Sequence, residues 1–174
     1  MKLLSRAEIL QALERLAREL SAEAPSEIVV GGGAALVLLY GAREATKDVD
    51  ALAISAQPGV VRAAAHRVAE SMDLPEDWLN EGAKGYLHGL EPGEILFEAP
   101  SLTVRAVASQ QLLAMKLSAW RDDIDIADAR LLLSKLPGAR DQVWSLVEPY
   151  LVPGRELKAR YAFEDLWELE HGPP

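Results

Sequence analysis

The chain has 174 residues, 49% of them hydrophobic, and a formal net charge of -9. This length fits one domain, or one domain with a helical extension, and no apolar run approaches the ~20 residues that span a bilayer. Cysteine is absent, which excludes disulfides, thiolate metal sites and cysteine nucleophiles, and we expect a cytoplasmic location. The charge argues against broad DNA or other nonspecific nucleic-acid binding, because that affinity depends on Lys and Arg at phosphates. It does not exclude a local basic face.

The N-terminal segment predicts an amphipathic helix. Ser5 is a suitable N-cap, and Glu8 stands at the capping-box position three residues later. Apolar residues from Ile9 to Leu20 then recur at the helical period. We expect this helix to pack on the core rather than to bind a partner.

A glycine-rich turn follows the first main strand. The strand, Ile28–Val30, leads into Gly31–Gly33 and then into an apolar helix that reaches about Tyr40. Glycines after a strand let a ligand approach the backbone and expose N–H groups at the start of a helix. This order predicts that Gly32 and Gly33 contact phosphates. A glycine-rich turn without a ligand, which is common in α/β folds, is the alternative.

Two carboxylates, Asp48 and Asp50, lie on the next predicted strand. Residues i and i+2 of a strand face the same side, so both carboxylates are expected to point the same way. Like charges on one face repel unless a cation lies between them, and Mg²⁺ (or Mn²⁺) is the usual cation where a substrate carries phosphates. The pair therefore predicts a metal site, with a solvated strand edge as the alternative.

Together, the glycine turn and the carboxylate pair resemble the signature of the nucleotidyltransferase superfamily with the DNA polymerase β-like fold. The nearest group is the AbiEii-like toxin nucleotidyltransferases and their small relatives, which read roughly GG-x-AL and then R-x-T/S-x-D-h-D. The matching residues are Gly32, Gly33, Ala35, Leu36, Arg43, Thr46, Asp48 and Asp50.

This resemblance implies a role for each matching side chain. Asp48 and Asp50 would be catalytic metal ligands. Arg43 and Thr46 would assist nucleotide binding, with Arg43 neutralising a phosphate or holding an aspartate. For Arg43 and Thr46, a surface charge and a threonine at the start of a strand are the alternative.

The segment from Asp73 to Gly93 is the least regular part of the sequence. Similar D-W-L-N-x-x-x-K-G segments occur in small relatives of the AbiEii-like group. The resemblance implies that Asn80 and Lys84 lie near the cleft, where Lys84 would contact a nucleotide phosphate. A packed loop with an exposed lysine is the alternative.

Two further strands are predicted, Ile95–Glu98 and Leu102–Val107. Many nucleotidyltransferases carry a third catalytic carboxylate on such a strand, and the second of these strands has none. Glu98, before the intervening turn, is a weak candidate. The chain therefore departs from the three-carboxylate pattern here.

The helix predicted from Ser109 carries Lys116 among apolar residues, and a lysine in that setting must reach solvent or meet an anion. The pattern K-L-x-A-x-R with a downstream D-x-x-D resembles the AbiEii-like group, here as Lys116, Leu117, Ala119, Arg121, Asp125 and Asp128. The resemblance implies that Lys116 and Arg121 bind nucleotide phosphate and that a downstream aspartate completes the catalytic site. Asp125 and Asp128 share a helix face, so the choice between them stays open.

The predicted fold is α/β (α+β). Residues 1–108 would form a nucleotidyltransferase-like core around a small mixed sheet, with residues 109–170 as a helical region packed on it in a single compact unit. The resemblance implies Mg²⁺-dependent transfer of a nucleotidyl group from a nucleoside triphosphate to a hydroxyl of RNA (tRNA included) or protein. It also implies a toxin role with a cognate antitoxin. A non-catalytic nucleotide-binding or protein-interaction module on a degenerate fold is the alternative.

Overall fold

The computed structural model describes residues 3–55 and 58–172. The chain divides into two compact units. The first, here called the sheet unit, runs to Lys84 and includes Pro92–Val107. The second, the helical unit, comprises Gly85–Glu91 and the chain from Ala108 onward.

The sheet unit contains a mixed five-stranded sheet, a two-stranded ribbon and three long helices among its described residues. The strands are β1 (Leu4–Ser5), β2 (Ser26–Val30), β3 (Ala45–Thr46), β4 (Val49–Ala53), β5 (Leu79–Asn80), β6 (Pro92–Ala99) and β7 (Leu102–Val107). The helices are α1 (Arg6–Glu19), α2 (Gly32–Tyr40) and α3 (Pro58–Met72). A short 3-10 helix, η1 (Gly82–Tyr86), continues the chain from β5.

The strand order of the main sheet is β5-β4-β2-β7-β6, and β1 pairs with β3 in the ribbon. Strand β2 runs antiparallel to β4 and parallel to β7. Strand β5 is parallel to β4, and β6 and β7 form an antiparallel hairpin. This confirms the prediction of an α/β fold with a mixed sheet.

The central position of β2 follows from its composition. Ile28, Val29 and Val30 are all essentially inaccessible to solvent. A strand that is apolar on successive residues must be covered on both faces. The glycine turn and α2 therefore begin from the most buried strand of the sheet.

Helix α1 begins as the sequence predicts. The Ser5 hydroxyl accepts a hydrogen bond from the Glu8 N–H, and the Glu8 carboxylate accepts one from the Ser5 N–H at 2.9 Å. This capping box satisfies N–H groups that the first turn leaves without helical partners.

A buried tryptophan organises the segment that the sequence leaves irregular. Trp78 is fully buried, and its indole N–H donates to the Ala65 carbonyl of α3 at 3.0 Å. The Trp78 carbonyl accepts a hydrogen bond from the Val49 N–H at 2.7 Å, which holds Trp78 beside the start of β4. Strand β5 follows directly and is thereby held against β4.

The helical unit is formed by α4 (Ser109–Ala119), α5 (Asp123–Ser134), α6 (Arg140–Val147), a 3-10 turn η2 (Glu148–Tyr150) and α7 (Glu156–His171). Helix α4 is buried along almost its whole length. Phe163 of α7 is fully buried and contacts Trp144, with ring centroids 5.1 Å apart. In the described ranges, no helix combines the length and apolarity that crossing a bilayer demands.

Substitution of two glycines of the sheet unit tests the backbone conformation at the end of α2. Gly41 follows the last residue of α2 and has a φ of +59. Gly59 lies in the first turn of α3 and has an ordinary φ. A Cβ added at either position would contact no other atom within 4 Å. Gly41→Ala should therefore lower the free energy of unfolding by about 1 kcal/mol through backbone strain alone. Gly59→Ala should raise it by about 0.5 kcal/mol, because alanine loses less conformational freedom in a helix.

Urea unfolding followed by circular dichroism measures both changes. Equal effects of the two substitutions would contradict the left-handed conformation at the end of α2.

Candidate functional site

The carboxylate pair lies at the start of β4. The strand begins at Val49, so Asp48 precedes it, and the prediction that both aspartates lie within the strand is wrong by one residue. The alternation still holds, because Val49 and Ala51 are buried while Asp48 and Asp50 are half-buried. This pattern places Asp48 and Asp50 on the same, more accessible side.

The Asp50 carboxylate lies against the first turn of α2. Its Oδ2 would be only 2.6 Å from a Cβ built on Gly32, whose φ is +58. The Asp50 carbonyl accepts from the Gly31 N–H at 2.9 Å, which fixes β4 relative to this turn. Gly32 is therefore required both by its backbone conformation and by the space that Asp50 occupies.

Arg43 and Thr46 lie beside the second glycine of the pair. A Cβ on Gly33 would be 2.8 Å from Thr46 Oγ1 and 3.4 Å from Arg43 Nη1. Thr46 is buried in β3, and Arg43 is half-buried. The structure thus brings together five of the residues that carry the sequence signature: Gly32, Gly33, Arg43, Thr46 and Asp50.

Strand β5 and the turn after it complete the surroundings of Asp50. Asn80 pairs in register with Asp50, and its Oδ1 accepts from the Gly82 N–H at 2.6 Å. The next N–H, of Ala83, donates to Asp50 Oδ1 at 3.0 Å. Lys84 follows in η1 and is exposed.

Sequence reasoning missed Gly82 and Ala83. The signal that was present is Asn80 two residues before a glycine, since Asn side chains bond the backbone two residues on in an Asx turn. That signal predicts the turn but not its target, because Ala83 and Asp50 are far apart in sequence.

The donor set suits a hard cation that arrives with phosphates. Among the described residues, no group of three His, Cys, Asp or Glu side chains could hold a metal. Two carboxylates are nevertheless sufficient for Mg²⁺, which usually keeps several waters and takes one or two carboxylates plus substrate phosphates. Asp50 Oδ1 accepts from the Ala83 N–H, and a carboxylate oxygen has more than one lone-pair site. The pair thus fits a substrate-borne Mg²⁺ or Mn²⁺ rather than a metal enclosed by protein.

The later strands do not bring a third carboxylate to the pair. Strand β7 presents Arg105, which donates to Glu27 Oε1 at 2.9 Å and to the Gly93 carbonyl at 3.2 Å. Glu98 lies on the edge strand β6, which β2 and β7 separate from β4. Three strand spacings amount to about 14 Å, so the weak candidacy of Glu98 is not supported.

The helical unit contains an ion cluster in which two buried aspartates, Asp125 and Asp128, meet the half-buried Lys116 and the exposed Arg121. The Lys116 ammonium lies 2.8 Å from Asp125 Oδ1 and 2.8 Å from Asp128 Oδ2. Arg121 donates to Asp125 through Nε at 2.9 Å and through its backbone N–H at 3.1 Å. The lysine predicted to meet an anion thus meets both candidate aspartates.

Charge balance explains how the two aspartates tolerate burial. Asp125 is 1% exposed and Asp128 is 5% exposed, and the two aspartates balance Lys116 and Arg121. Burial alone would raise the pKa of Asp125, but hydrogen bonds from Arg121 and Lys116, with the Lys116 charge, hold that pKa well below its ordinary value. The Lys116 ammonium has three N–H donors. Two of them face Asp125 and Asp128, and the third remains for another acceptor.

The low pKa of Asp125 predicts how stability depends on pH. A depressed pKa stabilises the fold above the ordinary aspartate value of about 4, and this contribution is lost as the pH falls further toward the folded-state pKa. Asp125→Asn should lower the free energy of unfolding by about 3 kcal/mol at pH 7, because it removes a buried carboxylate that pairs with both Lys116 and Arg121. The gap between the variant and wild type should shrink below pH 4.

Unfolding in urea at pH 7, 5 and 3 tests this expectation. Asp123→Asn is the matched control, since Asp123 lies in the same helical turn and is exposed. A constant gap across the three pH values would refute the proposed charge pairing.

Comparison with known proteins agrees with the superfamily that the sequence signature indicates. Residues 8–136 match a family model described as "Nucleotidyltransferase of unknown function (DUF6036)". No curated protein matches the chain, and no solved structure does. The matched range includes the glycine turn, the carboxylate pair and the Lys116–Asp128 segment. Since it covers most of the sequence, the chain belongs to this family of nucleotidyltransferases of unknown function.

Proposed function

We propose that this protein transfers a nucleotidyl group from a nucleoside triphosphate to a hydroxyl of RNA or protein, with Mg²⁺ (or Mn²⁺) held by Asp48 and Asp50. One observation carries the proposal: the Asp50 carboxylate is fixed beside Gly32, at the N-terminal end of α2. Backbone N–H groups at a helix start attract phosphate. A carboxylate at the same place supplies the ligand that phosphate-bound Mg²⁺ needs.

In the proposed reaction, the acceptor oxygen attacks the α-phosphorus. The bond from that phosphorus to the bridging oxygen breaks, pyrophosphate leaves, and the hydroxyl proton passes to a base. The bound metal would neutralise charge that develops on the phosphate oxygens. The N–H groups of the α2 turn and the Arg43 guanidinium would orient the triphosphate, and Thr46 would hold Arg43 and the glycine turn in place.

Lys116 and Arg121 are proposed to contact phosphate, on the resemblance and on their chemistry. Lys116 would use its third N–H, because Asp125 and Asp128 occupy the other two. A carboxylate whose pKa is lowered is a weak base, so Asp125 would orient the two cations. Asp128 is then the better candidate of the two to accept the proton. Lys84, which is exposed, would meet an outer phosphate.

The relation to AbiEii-like toxins is proposed on the sequence pattern alone. It would make this chain a toxin whose acceptor is RNA, tRNA included, or protein, and whose partner is a cognate antitoxin. A cytoplasmic location is part of the same proposal.

A second candidate function is nucleotide binding without transfer. It is favoured by the position that Arg105 occupies on β7, where a third carboxylate would be expected, and by the absence of a three-carboxylate group among the described residues. Such a module would bind a triphosphate and leave it intact.

Calorimetric titration with each nucleoside triphosphate, with and without Mg²⁺, tests the carboxylate pair. Asp48→Asn/Asp50→Asn should abolish the Mg²⁺-dependent part of binding, which we expect to be at least about tenfold in Kd, since both metal ligands lose their charge. Glu44→Gln is the control, because Glu44 is exposed in the bend before β3 and its substitution removes a nearby negative charge without removing a proposed metal ligand. Equal binding by the double variant and wild type would refute the metal site.

Transfer is tested separately with a triphosphate labelled in its α-phosphate and with RNA and protein acceptors. Label found in an acceptor supports the transferase. Mg²⁺-dependent binding with neither transfer nor pyrophosphate release would favour the non-catalytic module.

A further inference from the structure

The helical unit carries a group of cations around one aromatic ring. The Cζ atoms of Arg155 and Arg121 lie 5.1 and 5.6 Å from the centroid of the Tyr86 ring. Cation–π attraction offsets part of the repulsion between the two guanidinium groups. These three residues and Lys158, described next, are called the cationic cluster.

Two of its members are directed to one end of α4. Arg155 Nη1 donates to the Ser118 carbonyl at 3.1 Å, and Lys158 Nζ donates to the Ala119 carbonyl at 2.6 Å. The two carbonyls belong to consecutive residues, so the guanidinium and the ammonium are held close together. Their positions are fixed by the protein before any ligand arrives.

The positive charge of Arg155 and Lys158 exceeds the partial negative charge at the C-terminal end of α4. The C-terminal end of a helix carries about half a negative charge, whereas Arg155 and Lys158 contribute two positive charges. Across the described residues, no carboxylate forms an ion pair with either side chain. The surplus is therefore about +1.5, in a chain whose acidic residues outnumber its basic ones by 27 to 18.

Three carboxylates lie near the cationic cluster in space or in sequence, those of Asp122, Asp125 and Glu156. Asp125 binds Arg121 and Lys116, and Asp122 also lies within electrostatic reach of Arg121, so Arg121 adds nothing to the surplus. Hydrogen bonds from the N–H groups of Glu156 itself and of Gly154 lower the pKa of the Glu156 carboxyl. This carboxylate forms no ion pair with Arg155 among the described residues.

The charged side chains of the cationic cluster are accessible to a ligand. Arg121, Arg155 and Lys158 are exposed, and Tyr86 is half-buried. A guanidinium has five N–H donors and an ammonium has three, so Arg155 and Lys158 keep most of their donors after bonding one carbonyl each. Fixed guanidinium and ammonium groups beside an aromatic ring are the components that bind phosphates of single-stranded nucleic acids.

We propose that the cationic cluster binds phosphate groups, supplied by a single-stranded RNA backbone or by a free polyphosphate. This site goes beyond the proposed transfer reaction, because it uses Tyr86, Arg155 and Lys158, which have no role there. It requires neither a metal nor the carboxylate pair.

The test measures binding of a fluorescently labelled single-stranded oligoribonucleotide, in EDTA and at several salt concentrations, with inorganic tripolyphosphate as competitor and as a calorimetric ligand. Arg155→Gln/Lys158→Gln should weaken binding by about tenfold or more at 50 mM salt, and it should lower the salt slope by about 1.4, which is 0.7 for each lost phosphate contact. Arg155→Lys/Lys158→Arg, which keeps both charges, should retain the wild-type slope.

The matched control is Arg130→Gln/Arg140→Gln. It removes two cations of the same unit that pair with Glu170 and Asp141, and it should bind as wild type does. Asp48→Asn/Asp50→Asn should also bind as wild type, which separates this site from the triphosphate site.

RNA binding that tripolyphosphate does not displace identifies a nucleic-acid strand as the ligand. Displacement together with calorimetric binding of tripolyphosphate identifies a polyphosphate. The proposal is overturned if wild type binds neither probe, or if the Arg155→Gln/Lys158→Gln variant binds as wild type does. It is also overturned if the charge-retaining variant loses binding equally, because the cations would then serve only the fold.

Discussion

The close approach of the Asp50 carboxylate to the backbone of Gly32 is the constraint on which the sheet unit depends. No side chain fits at position 32, because φ is +58 and the carboxylate oxygen would lie 2.6 Å from a Cβ. Two backbone N–H groups also fix Asp50 in place. The Gly31 N–H donates to the Asp50 carbonyl, and the Ala83 N–H donates to Asp50 Oδ1. Strands β2, β4 and β5 must therefore keep one register for the carboxylate to reach the start of α2. A preorganised carboxylate of this kind needs little rearrangement to bind a phosphate-bound cation.

The helical unit manages its charges in two different ways. Lys116 is half-buried against two buried aspartates, and these ions lie 2.8 Å apart. Breaking such a pair is costly because it leaves an uncompensated charge in a poorly solvated place. Arg155 and Lys158 instead stay exposed, and in the described part of the chain each donates to a carbonyl oxygen while Arg155 also lies over the Tyr86 ring. Solvent reduces the cost of their surplus charge, and the same exposure leaves them accessible to an anion.

Much of the sheet unit was predictable because its signals are local. The capping box at Ser5, the apolar strand before three glycines and the alternation around Asp48 and Asp50 each span a few residues. The bonds that Ala83 and Arg105 make with Asp50 and Glu27 were not predictable, because they depend on which strands become neighbours in the sheet.

In the helical unit, too, the sequence predicts what neighbouring residues determine and does not predict contacts between distant segments. The sequence indicates that Lys116 meets an anion, but Asp125 and Asp128 share a helix face, and no local pattern separates them. In the structure both contact the lysine, and only Asp125 also binds Arg121. The cationic cluster was beyond local reasoning, since Tyr86, Arg121 and Arg155 come from three separate segments.

Two carboxylates without a third restrict the chemistry that the sheet unit can perform by itself. A pair suffices to hold one Mg²⁺ with phosphates and water, whereas a clamp of two metals about 4 Å apart stabilises both the attacking and the leaving oxygen. With Arg105 committed to Glu27, β7 offers no ligand for a second metal and no base for the acceptor proton. In the proposed reaction, activation of the acceptor would then come from a residue outside the carboxylate pair or from the substrate itself. The two proposed functions would therefore differ in whether the acceptor proton has a base to accept it, since both include binding of a nucleotide.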